Sequence, residues 1–186
     1  MGLTLIKALT ASSSASLAFV DGTSDVVFDN TYNEYQFHFV NIHPQNDNVN
    51  FEFQVNATDD AGGGYDTSLI QSTWFHTYHG EDGVSTSLGY EAGYDTANAA
   101  DYQTFTRGLG NAADESTSGI LTIYDPSSTT YVKHFVANFS FSYHNAFAFV
   151  PHVAGYINDT TAIDEINFKM SSGNIDEGAI YMYGVS

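Results

Sequence analysis

The chain has 186 residues, 42% of them apolar and 15% aromatic, and a single domain of that size buries roughly 70% of the surface its unfolded form exposes. Twenty-two Asp and Glu stand against four basic residues, Lys7, Arg107, Lys133 and Lys169, giving a formal net charge of -18 that disfavours nucleic acid and anionic membrane as partners. Cysteine is absent, which excludes disulfides, thiol catalysis and thiolate metal sites.

The N-terminal stretch MGLTLIKALTASSSASLAF has neither a basic region ahead of an apolar core nor an apolar run of membrane length, so it reads as neither signal peptide nor span. Ile6 stands where a myristoylation signal needs Ser or Thr. Strands are predicted at Leu3–Leu9 and Ala15–Val20, with Ser12, Ser13 and Ser14 as the turn between them. From Tyr35 to Ile42 the pattern alternates: Tyr35, Phe37 and Phe39 fall on one face, Gln36 and His38 on the other. Val49–Val55 repeats this alternation, and Asn41–Asn48, with Pro44 and Asp47, reads as the turn joining two antiparallel strands.

Further strands are expected at Ser68–Tyr78, Tyr102–Arg107, Gly119–Tyr124, Tyr131–Tyr143, Phe147–Tyr156, Ile163–Met170 and Ala179–Tyr183. Asn56–Tyr65 and Glu91–Asp101, small and polar, read as surface loops, the usual seat of binding function in such folds. No capped window repeats apolar residues at helical spacing. The expectation is an all-β, β-sandwich or jelly-roll-like single domain over residues 1–186, with about ten antiparallel strands, little helix and an aromatic core built from 14 Phe, 13 Tyr and one Trp.

Candidate chemistry is sparse. His76 and His79 are three residues apart, and on a strand that odd spacing sends the two rings to opposite sides of the sheet, which argues against a shared metal. Asp59, Asp60 and Asp66, around a glycine run, are a weak calcium candidate, since loop carboxylates suit a hard cation but the full EF-hand spacing is missing. No other cofactor is expected. There is no Gly-x-Ser-x-Gly elbow, and Glu81/Asp82 and Asp164/Glu165 are merely adjacent, whereas acid–base pairs must face each other across a substrate. The chain therefore reads as a non-enzyme. Trp74, Tyr78, Tyr90 and Tyr94 are candidates for stacking on a carbohydrate, or else are core or subunit-contact aromatics. Gly173 and Asn174 suit a turn with positive φ that reverses the chain into its last strand. The acidity itself fits either solubility in a salty medium or an acidic docking face.

Two stretches carry a resemblance. ASSSASLAFVDG followed by NTYNEYQFHFVNIHPQNDNVNFEFQVN, and INFKMSSGNIDEGAIYMYGVS at the other end, resemble structural proteins of marine tailed-phage particles. The shared pattern is Tyr32 and Tyr35, a turn with Asn41, Ile42, Pro44 and Asp47, then Ser172, Gly173, Asn174 and Gly178 leading to Tyr183 and Gly184, with a fainter match at DPSSTTYVKHF. The resemblance implies a virion component, a head decoration protein or a piece of tail or fibre, whose partners are copies of itself and other virion proteins. A receptor-binding module for a host-surface glycan is the alternative. No catalytic residues come with it.

Overall fold

A computed structural model describes residues 2–59 and 68–186. Every regular element among them is a strand: β1 (Leu3–Thr10), β2 (Leu17–Val20), β3 (Glu34–Pro44), β4 (Val49–Ala57), β5 (Ile70–Gly80), β6 (Thr86–Tyr90), β7 (Ala97–Ala99), β8 (Gln103–Leu109), β9 (Thr117–Tyr124), β10 (Lys133–Tyr143), β11 (Phe147–Ile157), β12 (Ile163–Met170) and β13 (Ile175–Val185). No helix of the described residues is long and apolar enough to cross a membrane.

All pairings are antiparallel, and the strands form two layers. The larger runs β1-β13-β3-β9-β10-β11-β5, with β6 and β7 sharing the far side of β5; the smaller runs β8-β4-β12-β2. The layers join where Tyr143 at the end of β10 pairs with Leu109 of β8. Most connections cross from one layer to the other, including β2 to β3, β3 to β4, β4 to β5, β8 to β9 and β12 to β13, which is jelly-roll-like and makes the alternation of each strand feed one shared interior.

That interior is aromatic. The Phe39 ring on β3 lies 5.5 Å from Phe51 on β4, 5.8 Å from Phe105 on β8, 5.1 Å from Phe139 on β10 and 5.0 Å from Phe168 on β12, so one side chain touches both layers. Phe53 stacks on Phe105 at 4.8 Å and 9°. Such ring pairs add roughly 0.5–1.5 kcal/mol beyond the area they bury. Several buried polar groups are answered locally: Gln103 accepts from the Ser72 and Thr96 hydroxyls and donates to the Tyr94 carbonyl at 2.9 Å. Lys133, fully buried, donates to the carbonyls of Asp159 and Thr161 and so ties down the turn before β12. Burial pulls its pKa below the usual lysine value, against the pull of Asp159.

The expected strands all appear, and two more were missed. β6 alternates Thr86, Leu88 and Tyr90 with Ser87 and Gly89 over only five residues and buries none of them, and β7 falls inside the expected loop Glu91–Asp101; both are short additions to the edge of β5. The expected turn Asn41–Asn48 is shorter, because β3 runs on to Pro44 through a bulge at Asn41, whose φ is 50°. A side-chain amide at that residue type tolerates the left-handed region, so the strand bends without stopping.

Candidate interaction surface

Directly paired residues on neighbouring strands project to the same face. Since Phe37, Phe39, Leu121, Ile123, Phe135, Phe139, Phe149 and Trp74 point inward, the register fixes what points outward from the larger layer. His38 pairs with Ile120 and with Tyr181; Ile120 pairs with Asn138; Asn138 pairs with His152; His152 pairs with Phe75; and Phe75 pairs with Tyr90. One continuous row therefore crosses seven strands and holds no formally charged side chain.

The remaining rows are similar. Among outward side chains of β3, β9, β10, β11 and β5, Glu34 is the one carboxylate, and there is no Lys or Arg. Nine of the twelve large apolar side chains exposed among the described residues lie on this face: Leu3, Leu5, Val40, Phe75, Leu88, Tyr90, Ile120, Tyr124 and Val136. Ile120 and Val136, at 40% and 39% exposure, flank a shallow hollow at its centre that also meets Gln36, Thr122 and Asn138. His38, His79, His134 and His152 project here as well; His152 stacks on Phe75 at 5.0 Å and 22° and its Nδ1 lies 2.5 Å from the Asn138 side-chain oxygen. Burial holds the His38 pKa below the usual value.

The residues singled out from sequence scatter. Trp74 is fully buried, and its indole N–H donates to the Phe105 carbonyl at 3.2 Å, so it is a core residue and has no face to offer a sugar. Tyr94 packs against it at 5.4 Å, and Tyr78 is half-buried against Phe147 and Phe149. Tyr90 is exposed on the outer face and donates its hydroxyl to Asp95. His76 points inward and His79 outward, as the strand period requires. Asp59 accepts from the Thr161 hydroxyl at 3.0 Å, while Asp60 and Asp66 lie outside the described residues. The described residues hold no group of three or more His, Asp or Glu arranged to take a metal ion. Gly173 adopts φ 73°; Asn174 does not take positive φ, and instead donates its side-chain amide to the Ser13 carbonyl at 3.1 Å, which fastens the turn to the segment before β2.

Sequence reading missed a cluster around the chain's one arginine. Arg107 on β8 donates to Glu91 at 2.8 Å, and its guanidinium carbon sits 5.1 Å from the Phe149 ring, 5.6 Å from Tyr94 and 5.8 Å from Tyr143. His76 lies beside it, its Nδ1 3.7 Å from Glu91 and without a hydrogen-bond partner. Burial first, then Arg107, lowers the His76 pKa against the opposing pull of Glu91. The signal was present: Gln103, Phe105 and Arg107 share a strand parity, so a core Phe105 implies an inward-facing Arg107.

No family model matches this sequence, and neither a curated protein nor a solved structure matches it.

Proposed function

We propose that this chain is a non-catalytic assembly protein that packs through the outer face of its larger layer against a second copy, as a component of the kind of virus particle its ends resemble. The observation that carries the reading is the sorting of charge: in a chain of net charge -18, nine exposed apolar side chains share one broad face on which the five central strands contribute a single carboxylate. Interface centres are depleted of charge and enriched in aromatic residues, and this face has that composition without being covered.

Its size also suits a copy of itself. Eight strands at roughly 4.8 Å spacing, by about seven residues at roughly 3.3 Å, give on the order of 900 Å², close to the ~800 Å² that each partner contributes to a standard interface. A two-fold arrangement would set uncharged centre on uncharged centre and leave the carboxylates at the periphery. Salt should then strengthen association by screening the residual repulsion. Sedimentation velocity tests this: the parent chain should form a dimer or a higher closed oligomer, more completely at higher salt. A parent chain that stays monomeric at high concentration and high salt would overturn the reading.

A further inference from the structure

We propose a second, independent site: the cleft at the seam between β8 and the β10–β11 hairpin binds one neutral pyranose ring. This cleft, about 270 Å³, is lined by Tyr78, Arg107, Tyr143, Asn145, Phe147 and Phe149. Its volume sits just below the ~300 Å³ at which small-molecule sites begin, which limits the occupant to a single small ring.

The chemistry of the walls selects the class. Tyr78, Tyr143 and Phe147 bring partly exposed rings to the opening, with the buried Phe149 as its floor, and such apolar walls suit the C–H face of a sugar. The Arg107 guanidinium and the exposed Asn145 amide supply hydrogen-bond donors at the same opening. A cationic ligand is opposed by Arg107. An anionic one gains little, because Glu91 at 2.8 Å already answers that charge and the whole chain is strongly acidic. An uncharged ligand remains, and the Arg107 and Asn145 donors at the opening favour one carrying hydroxyls over a purely apolar ring.

The cleft is also held in shape before any ligand arrives. Three rings and one carboxylate fix the guanidinium. Tyr143 lies directly on Gly108, where φ is 58° and a Cβ would sit 2.4 Å from the ring, so only glycine leaves room for that wall. Preorganisation of this kind lowers the entropy cost of binding. Trp74, the residue sequence favoured for a sugar, lies in the core behind the cleft and supports it through Phe149, 6.5 Å away.

Titration of isotopically labelled protein with the methyl glycosides of glucose, galactose and mannose, followed by NMR, tests the site. At least one glycoside should give saturable shifts centred on residues 143–147 and the Arg107 side chain, and glucuronate should bind more weakly than the matching glucoside. Asn145→Ala, a change at an exposed turn, should keep the thermal midpoint and weaken binding about tenfold, the value of one lost hydrogen bond. The site is overturned if none of the three glycosides gives saturable shifts, if the shifts map to the outer face, if glucuronate binds as well or better, or if Asn145→Ala binds like the parent. None of these outcomes depends on whether the chain self-associates.

Discussion

The two layers wear opposite exteriors although the same alternation builds both. On the smaller layer the outward residues are polar and already partnered. Lys169 lies 3.5 Å from Glu52 and 4.0 Å from the Tyr102 ring, Tyr102 donates to Asn167 at 3.2 Å, and Gln54 donates to the carbonyls of Ser68 and Asp101. Gln54 and Asn167 are buried by this network. On the larger layer the outward residues of the five central strands are apolar, hydroxylic, amide- or imidazole-bearing, with Glu34 the one carboxylate, and they are uncovered. A closed polar exterior contributes to the chain's own stability, whereas an open apolar one leaves that free energy to be gained with a partner.

Substitutions on each face should separate these roles. The double change Ile120→Asp and Val136→Asp should cost about 3 kcal/mol of association, more than a hundredfold in Kd, by placing unpaired charges at the centre of the interface. Sedimentation should then show monomer while denaturant midpoints stay within about 0.5 kcal/mol of the parent. A loss of stability with association intact would reverse the contrast between the layers. On the closed face, Gln54→Leu strands two carbonyls and the Val55 N–H that its side-chain oxygen accepts at 2.8 Å. It should cost about 2–3 kcal/mol in chemical denaturation and leave association of the folded chain untouched.

Acid should act on the open face and on the interior of the larger layer through different histidines, His38 on β3 and His76 on β5. The pKa values of His38 and His76 are both lowered in the folded chain, with burial the first cause of each. In the window between that lowered value and the ordinary 6.5, the unfolded chain binds more protons, so stability is full above pH 6.5 and declines as pH falls through the window. The thermal midpoint should drop on going from neutral to mildly acidic buffer, and His76→Gln should flatten part of that slope. Association should weaken over the same range, since covering His38 further disfavours its charged form, and Ile120→Asp/Val136→Asp monomers should lose only that second component. The smallest effect is expected at Lys169→Met: Glu52 keeps 12% of its side chain exposed, so the change leaves a largely buried carboxylate unpaired and should cost about 1–2 kcal/mol, and a larger loss by denaturation would mean the closed network is more cooperative than its pairs.

Much of the fold was legible because alternation is a local property. Tyr35, Phe37 and Phe39 announced an inward face three residues long, and each of them is buried. β6 and β7 were not legible, since Leu88 is exposed and Ala97–Ala99 has no large side chain to mark a face; they are strands because β5 offers a free edge. The aromatic candidates failed for a related reason. Sequence places Trp74, Tyr78, Tyr90 and Tyr94 near loops, but strand parity sends Trp74 into the core and Tyr90 to the outer face.

The sequence by itself determined an all-β, acidic, cysteine-free chain with an aromatic interior, because period-two patterning and composition act residue by residue. Only the tertiary structure decided which uncharged positions become neighbours. Ile120 and Val136 belong to different strands, and Arg107, His76 and Glu91 are brought together from β8, β5 and the loop after β6. Register and layer crossing assemble both the open face and the aromatic cleft, and those are set by pairings between residues far apart in the chain, which no local pattern encodes.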